Sequence, residues 1–226
     1  MSIHTSIAID GPVASGKSVV GSRVAQALGY RLIDTGVMYR AITWLALERN
    51  IDLHDEAALA ALASNAELTL APGPRDAPES YRVQIDGEDV TEQLRSPEVG
   101  EAVSLVSRVA GVRQAMVALQ RQLASGGAIV MAGRDIGTVV LPDAPLKVYL
   151  DASVDERVRR RHEELVAAGK SIAEVDVRQE LALRDAIDSG RDVSPLRPAE
   201  DAIIIHTDRL SLDEVVDQIL ELAKCR

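Results

Sequence analysis

The 226-residue chain contains no phenylalanine, and aromatic residues make up only 2% of it. Proteins that bind single-stranded nucleic acid stack the bases on aromatic side chains, so that class of function is disfavoured. The one cysteine, Cys225, allows no internal disulfide, which fits a reducing compartment. No apolar run approaches the roughly 18 residues of a membrane helix, and the first ten residues lack the features of a signal peptide. We therefore expect a cytoplasmic protein.

Positive charge is also scarce. The formal net charge is −10, which repels polyanions and anionic membranes. The cationic residues are 21 arginines and only 4 lysines, and arginine binds phosphate or carboxylate through two parallel N–H groups. This combination predicts small anionic ligands in a local site. Neither a nucleic-acid polymer nor a membrane is an expected partner.

Short apolar runs alternate with longer helical patterns along the chain, which is typical of an α/β protein with a parallel sheet. Most of the apolar runs are uninterrupted, as in strands that are covered on both faces. The predicted strands are residues 6–10, 31–34, 128–132, 146–151 and 202–207. The predicted helices are residues 17–28, 37–49, 56–64, 97–124, 154–168, 173–187 and 212–223.

Two regions interrupt this alternation. Residues 66–95 contain a loop and then the alternating sequence YRVQIDGEDV, which predicts a small β insert with a turn at Asp86-Gly87. Residues 157–197 are dense in charge and include eight arginines, and they end in X-Pro steps where a helix does not readily continue. We therefore expect a core sheet with two appendages.

The sequence GPVASGKS, beginning at Gly11, matches the phosphate-loop pattern G-x-x-x-x-G-K-[ST]. Gly11 and Gly16 permit backbone angles that turn successive N–H groups towards a phosphate, and the helix that begins near Lys17 adds its dipole. Lys17 is expected to reach the β- and γ-phosphates, and Ser18 to bind Mg²⁺. An apolar strand precedes the motif and an amphipathic helix follows it, which is the context that it requires. The segment therefore predicts a nucleoside triphosphate site.

Two other motifs follow predicted strands, and in an open α/β sheet such loops line the ligand crevice. In DTGVMYR, Arg40 lies near a helix N-terminus and could bind a second phosphate. The alternative is that Thr35 only caps the helix and Arg40 is solvated. In GRDIGT, Arg134 and Asp135 could contact a phosphate and a base edge, or they could form a surface ion pair of little energetic weight.

The charge-dense region carries a third constellation. Arg184, Asp188 and Arg191 are four and three residues apart, so they lie on one helix face if the helix continues through them. Clustered guanidinium groups repel one another unless an anion joins them, and phosphoryl transfer uses such groups to neutralise the transferred oxygens. A charge run is more often a solvated helix face. Beside a phosphate loop, an arginine-rich flap is the better interpretation.

Taken together, these segments resemble bacterial cytidylate kinases over essentially the whole chain. The resemblance rests on IAIDGPVASGKS, DTGVMYRAI, IDGEDVTEQLRSPEV, GRDIGTVVLPDAPLKVYLDAS and RDAIDSGRDVSPLRPAEDAIIIHT. It implies a P-loop NTPase-type fold, in which helices sandwich a five-stranded parallel sheet. The implied parts are a core (residues 1–34, 97–156 and 198–226), a nucleoside monophosphate-binding region (35–96) with the β insert, and an arginine-rich helical lid (157–197).

The resemblance also implies transfer of the ATP γ-phosphate to CMP or dCMP with Mg²⁺, by a protein that is a monomer in most of the family. The residues implied to bind ATP are Gly11, Pro12, Val13, Ala14, Ser15, Gly16, Lys17, Ser18, Val19, Arg157 and Arg161. Those implied to bind CMP are Thr35, Tyr39, Arg40, Ser104, Arg113, Arg134, Asp135, Arg184, Asp188 and Arg191. Lys17, Arg134, Arg184 and Arg191 are the implied catalytic residues. Thr35 stands where the family usually has Ser, and Ala132 stands where a relative has Asp.

The expected mechanism is direct in-line transfer without a covalent enzyme intermediate. Because the acceptor is already a phosphate dianion, no strong general base is needed, and catalysis is positioning plus electrostatics. One alternative is a kinase for another acceptor, such as AMP or a non-nucleotide alcohol. A second is a regulatory module that binds ATP and moves a lid without chemistry. The pairing of Arg40 with Arg134 favours an acceptor that carries a phosphate.

Overall fold

The structure of the protein is a computed structural model, and it describes residues 6–72 and 81–225. The loop expected inside the β insert, residues 73–80, lies outside the described residues, as does the Cys225 side chain. The chain forms two compact units. The first contains the residues up to Leu32 and those from Gly127 onwards, and the second contains Ile33–Gly126.

The described residues form eight strands and eight helices. The strands are β1 (Ser6–Asp10), β2 (Arg31–Asp34), β3 (Leu68–Pro72), β4 (Tyr81–Ile85), β5 (Glu88–Asp89), β6 (Ile129–Gly133), β7 (Leu146–Asp151) and β8 (Ile203–His206). The helices are α1 (Lys17–Leu28), α2 (Thr35–Glu48), α3 (Glu56–Asn65), α4 (Pro97–Arg108), α5 (Ala110–Ala124), α6 (Val154–Ala167), α7 (Glu174–Ser189) and α8 (Leu212–Cys225). A 3₁₀ turn (Gln93–Arg95) precedes α4, and a π-helical turn (Ile136–Val140) follows β6.

The main sheet is five-stranded and parallel, in the order β2-β6-β1-β7-β8. β1 is its central strand, with Ile9 in register with Ala132 of β6 and Val148 of β7. The predicted fold class is therefore confirmed. The bounds of β1, β2 and β7 are those predicted from the apolar runs, and those of β6 and β8 differ by one residue at each end.

One face of this sheet is the apolar core of the first unit. Alternate residues of the strands pack there against α1 and α8, and together they form the cluster Ile7, Ile9, Val20, Val24, Val130, Leu146, Val148, Leu150, Ile205, Val215, Val216 and Ile219, with Ala25. Each large aliphatic side chain buried in this way contributes about 1.5–3 kcal/mol. This packing fixes α1 on the sheet and places its N-terminus beside the carboxyl end of β1.

The second unit contains α2–α5 and a three-stranded antiparallel sheet in the order β3-β4-β5. The turn between β4 and β5 has positive φ at both Asp86 (52°) and Gly87 (84°), the geometry of a tight two-residue hairpin. The strand pairing and the turn confirm the predicted β insert, within the described residues.

The expectation of one helix over residues 97–124 is wrong. The chain is extended at Val109 (ψ 121°), and α4 and α5 meet at 95°. Gly111, in the first turn of α5, packs closely on α3, because a Cβ added there would lie 2.4 Å from Cβ of Ala60. This close approach of α5 to α3 therefore favours glycine at position 111.

No single helix within residues 6–72 and 81–225 has the length and apolar character needed to cross a membrane. α4 and α5 reach that length and composition when they are taken together as a bent pair.

Candidate active site

The segment between β1 and α1 is bounded by two glycines that the local geometry requires. A Cβ added to Gly11 (φ 152°) would lie 2.3 Å from the carbonyl oxygen of Leu150 on β7. Gly16 (φ 91°) is in the left-handed region and caps the N-terminus of α1. The first N–H groups of α1 and its dipole therefore face the segment, which is the arrangement that binds phosphate. The predicted strand–loop–helix context is confirmed.

Lys17 is the first residue of α1 and is only 8% exposed. Its Nζ donates hydrogen bonds to the carbonyl oxygen of Pro12 (2.5 Å) and to Oγ of Ser15 (3.3 Å), so the ammonium group lies against the loop itself. Pro12 and Ser15 are buried, Val13 and Ala14 are partly exposed, and Ser18 and Val19 are exposed.

Asp10, the last residue of β1, is a buried carboxylate that the sequence reasoning missed. Its two oxygens accept hydrogen bonds from the N–H groups of Ile136 and Gly137, each at 2.7 Å. Burial raises the pKa of Asp10 to about 6; these two bonds and Lys17 oppose the rise, and the charge of Asp135 adds to it. Asp10 thereby fixes the turn that follows Arg134 and Asp135 to the start of the phosphate loop.

Arg134 joins the phosphate loop to α7. Its Nη1 donates to the carbonyl oxygen of Gly11 (3.0 Å), and its Nε donates to Oδ2 of Asp188 (2.7 Å). Oδ1 of Asp188 accepts a hydrogen bond from Nη2 of Arg191. Burial alone would raise the pKa of Asp188, but the positive charges of Arg134 and Arg191 outweigh it and hold this pKa below its usual value. Arg134, Asp188 and Arg191 therefore form one charged cluster beside Gly11.

The helix does not continue through Arg191, so Arg184, Asp188 and Arg191 do not share one helix face, although Arg191 does reach Asp188. α7 ends at Ser189, and Gly190 closes it by donating its N–H to the carbonyl oxygen of Ala186 (2.9 Å). A Cβ added to Gly190 would lie 2.8 Å from that oxygen, so the tight helix end favours glycine. Arg191 approaches Asp188 from the segment that follows the helix.

Arg157 of α6 also contacts the phosphate loop. Its Nη1 lies 3.4 Å from the carbonyl oxygen of Val13 and 2.7 Å from Oδ2 of Asp185 on α7, and its Nε donates to the carbonyl oxygen of Ala152 (3.2 Å). The residue is only 4% exposed. Arg157 therefore contacts the phosphate loop, whose residues the family resemblance places with Arg157 in one ATP-binding set.

Two other predicted residues have contacts within their own helices. Arg161 pairs with Glu164 on α6 (2.9 Å), and Arg184 pairs with Glu180 on α7 (3.5 Å). In each pair a largely buried arginine meets a more exposed glutamate, and neither pair tests the nucleotide contacts expected of Arg161 and Arg184.

The second unit holds five of the predicted residues, Thr35, Tyr39, Arg40, Ser104 and Arg113. Arg113 of α5 is 2% exposed, donates from Nη1 to the carbonyl oxygen of Ser107 (3.1 Å) and lies 5.2 Å from the ring centroid of Tyr39. Arg40 is half-buried, and its Nη1 donates to the carbonyl oxygen of Leu94 (3.2 Å). Ser104 is buried on α4. Tyr39 and Arg113 are therefore brought together on α2 and α5.

Thr35 is buried at the first position of α2, but it is not the helix cap that one interpretation expected. Asp34 has that role, because its Oδ1 accepts a hydrogen bond from the Gly36 N–H at 2.9 Å. The Thr35 side chain is thus not needed to cap α2.

Comparison with known proteins gives the family. A family model for cytidylate kinase matches residues 7–225. A cytidylate kinase of Geobacillus kaustophilus (strain HTA426) is 49% identical over 226 residues, which is 100% of this chain and 99% of that protein. A cytidylate kinase of Bacillus velezensis (strain DSM 23117 / BGSC 10A6 / LMG 26770 / FZB42) is 51% identical over 219 residues, 97% of this chain and 96% of that protein. The chain belongs to the cytidylate kinase family.

Solved structures support the fold of this cytidylate kinase family member. A crystal structure of an uncharacterized protein from Eubacterium ventriosum ATCC 27560 matches it with a TM-score of 0.54 at 15% identity, and the match covers 99% of each chain. At that identity the likeness concerns the fold alone. The family assignment rests on the sequence relatives.

A metal ion expected in this family has one predicted protein ligand, the Ser18 hydroxyl. Ser18 is exposed at the second position of α1, beside the phosphate loop. Residues 6–72 and 81–225 contain no group of three or more His, Cys, Asp or Glu that could hold a metal. Mg²⁺ prefers oxygen ligands and takes several of them from substrate phosphates. The residues present fit a cation that enters the site together with a nucleotide.

Two further residues near the loop were also missed. Asp185 was hidden in a charge-dense helix, where its pairing with Arg157 cannot be identified from spacing. Tyr149 of β7 is half-buried, and burial together with the charge of Asp151 raises its pKa. Asp10 could have been found from the sequence. It lies at the end of a buried strand directly before Gly11, and aspartate is rarely buried without a partner.

Proposed function

We propose that the protein transfers the γ-phosphoryl group of ATP to CMP or dCMP, giving ADP and the corresponding diphosphate. The main support for the proposal is the match to cytidylate kinases over the full length of the chain, at 49% and 51% sequence identity. The contact of Arg134 with both Gly11 and Asp188 supports it, because it places a guanidinium group at the edge of the phosphate loop.

In this proposal the phosphate loop and α6 bind ATP. The loop N–H groups surround the phosphates, and Lys17 neutralises the oxygens of the transferred group. Mg²⁺ held by Ser18 would neutralise phosphate charge. The full set of ATP-binding residues is Gly11, Pro12, Val13, Ala14, Ser15, Gly16, Lys17, Ser18, Val19, Arg157 and Arg161.

CMP is bound through its phosphate, its base and its sugar. Arg40 and Arg134 bind the phosphate, and Arg191 closes over the phosphates. Ser104, Arg113 and Asp135 bind the cytosine ring, and Thr35 contacts the cytosine end of the acceptor. Arg184 and Asp188 contact the sugar, and Tyr39 flanks the acceptor. The burial of Arg113 and its contact with Tyr39 support this role, because a guanidinium group fixed in advance loses little entropy when it binds.

Transfer occurs in line and in one step. An oxygen of the acceptor phosphate forms a bond to the γ-phosphorus while the bond from that phosphorus to the ADP oxygen breaks. Closure of the monophosphate-binding region (35–96) and the lid (157–197) excludes water, so that CMP is phosphorylated in preference to water. A Mg²⁺ requirement, a cytoplasmic location and a monomeric state complete the proposal.

A coupled assay of ADP release tests the acceptor. With ATP and Mg²⁺ present, we expect fast release with CMP and dCMP, slower release with UMP, and little with AMP or without an acceptor. A preference for AMP would leave a kinase but reject the roles given to Ser104, Arg113 and Asp135. Release that is independent of any acceptor would reject the proposal in favour of an ATPase or a regulatory module.

Lys17→Ala tests the donor side of the proposal. The variant loses the charge that neutralises the transferred group, so we expect kcat to fall by at least about a hundredfold while the melting temperature stays near that of the wild type. Lys224→Ala, which removes an exposed lysine of α8, is the matched control and should keep full activity.

A further inference from the structure

We propose that Asp185 is a positioning residue for ATP, which acts by holding the Arg157 guanidinium group against the phosphate loop. The inference rests on the proposed function, in which Arg157 binds ATP. It adds a residue to the donor side and assigns separate tasks to two carboxylates on α7.

The contacts of the Arg157 guanidinium group are the first support for this inference. The guanidinium group has two carbonyl oxygens as neutral acceptors, one on Ala152 and one on Val13 of the phosphate loop. The carboxylate that balances its charge is that of Asp185, at 2.7 Å. The Arg157 side chain is 5% exposed and that of Asp185 is 25% exposed, so this ion pair is only weakly screened by water. The position of Asp185 therefore determines where the guanidinium group lies.

The phosphate loop is in contact with the same two helices through apolar side chains. Val158 and Leu165 of α6 and Val177 and Leu181 of α7 form a buried cluster, and Val13 packs against it. The loop residue whose carbonyl oxygen approaches Arg157 thus also has its side chain on the α6–α7 helix pair. A displacement of α7 would be transmitted to Val13 by both contacts.

The second step compares Asp185 with Asp188. They are three positions apart in the sequence, so they lie on neighbouring positions of one face of α7. Asp185 pairs with Arg157, on the proposed ATP side, whereas Asp188 uses its two oxygens for Arg134 and Arg191, which are proposed to act on the CMP side. One helix thereby holds the arginines of both substrates, through a different carboxylate for each.

The test measures equilibrium binding of ATP and of CMP separately, by calorimetry, to the wild type and to Asp185→Asn. We expect the affinity for ATP to fall about tenfold, because the amide keeps an acceptor oxygen but loses the negative charge that fixes the guanidinium group, while the affinity for CMP stays within about twofold. Asp155→Asn is the matched control. It breaks another α6–α7 ion pair, with Arg178 at 2.6 Å, in which Asp155 is 83% exposed, and it should change neither affinity.

The outcomes separate this inference from the proposed function. Unchanged ATP affinity in Asp185→Asn would overturn the inference even if CMP remains the preferred acceptor of the wild type. Equal losses for ATP and CMP would overturn it as well, since they would indicate a general disturbance of the α6–α7 pair. A wild type that uses another acceptor would overturn the proposed function but leave the measured effect on ATP intact.

A double-mutant cycle tests that Asp185 acts through Arg157. In an Arg157→Lys background, Asp185→Asn should weaken ATP binding by less than about twofold, because the hydrogen-bonding fork is already lost. An additional tenfold loss would show that Asp185 acts by another route and would overturn the inference. If Asp185→Asn does not fold, Asp185→Glu replaces it: the longer side chain keeps the charge but displaces Arg157, and a loss for ATP without a loss for CMP is again required.

Discussion

Asp10 at the end of β1 and Asp188 near the end of α7 are equally buried, at 3% and 4% exposure, yet their pKa values move in opposite directions. Asp10 is raised to about 6, because burial outweighs the hydrogen bonds that it accepts from two N–H groups. Asp188 is lowered, because two guanidinium groups outweigh a similar burial. The comparison shows that the partners of a carboxylate, and not its depth, decide whether it keeps its charge.

The two regions differ in purpose as well as in charge. The Asp10 carboxylate accepts hydrogen bonds from two neutral backbone N–H groups. Its contribution is therefore to hold the backbone of the turn that follows β6 in place. Around Asp188 the carboxylate holds two cationic side chains, Arg134 and Arg191, that are proposed to bind substrate. Replacing each carboxylate by its neutral amide therefore has a different effect, and the effects can be ordered by size.

The largest effect is expected for Asp188→Asn. The substitution removes the negative charge that the buried Asp188 presents to the guanidinium groups of Arg134 and Arg191, and breaking a buried ion pair costs about 3–5 kcal/mol of folding stability. We also expect kcat/KM for CMP to fall by at least about a hundredfold, because Arg134 loses its fixed position. Urea denaturation and the coupled ADP assay measure the two quantities.

The control for this variant is Asp155→Asn, on an exposed ion pair, which should cost less than about 1 kcal/mol. If Asp188→Asn proves no more harmful than this control, the charged cluster does not hold Arg134 in place, and the contrast with Asp10 loses its functional meaning.

The sequence was most informative where the signal is local. β1, β2 and β7 are predicted to the residue because a short, mainly apolar stretch in each of them ends at an aspartate. The strand–loop–helix context of the phosphate loop is also predicted from its motif, and the structure adds a steric reason for its first glycine, since a Cβ added to Gly11 would lie 2.3 Å from the carbonyl oxygen of Leu150. The Asp86-Gly87 turn belongs to the same class of local signal.

The features that the sequence did not predict depend on contacts between residues that are far apart in the chain. The break at Val109 is marked by no proline and no charge pattern, and the close packing of Gly111 on Ala60 of α3 beside it is a contact between positions 51 residues apart. The partners of Asp10, at residues 136 and 137, lie more than 120 residues away in sequence. The Arg157–Asp185 pair similarly depends on how α6 and α7 pack, which helical spacing within either one does not specify.

The second prediction concerns the pH dependence of stability through Asp10. Because its pKa is about 6 in the folded protein and 3.8 in the unfolded chain, the folded state retains the proton over this range. The contribution of Asp10 to the free energy of unfolding therefore decreases as pH rises from about 4 to 6, by about 3 kcal/mol in total. Asp188 has the opposite sign, since its lowered pKa stabilises the fold above its unfolded pKa and this contribution is lost on acidification.

The variant Asp10→Asn isolates the pH-dependent contribution of Asp10 to the free energy of unfolding. An amide does not titrate between pH 4 and 7, so the wild type should lose stability relative to the variant across that range, whatever constant difference the substitution introduces. Urea denaturation of both proteins at several pH values measures the difference. A difference that does not change with pH would contradict the raised pKa of Asp10.

The smallest effect is expected when the charges around Asp10 are changed one at a time. The negative charge of Asp135 raises the pKa of Asp10, and the positive charge of Lys17 lowers it. Asp135→Asn should therefore lower the pKa of Asp10 and Lys17→Met should raise it, and an NMR titration of the Asp10 carboxyl carbon measures both shifts. Lys224→Met, a change of the same kind on α8, should leave this pKa unchanged. Shifts of the same sign in the first two variants would mean that they act by altering the burial of Asp10, because only a direct charge effect reverses its sign with the charge that is removed.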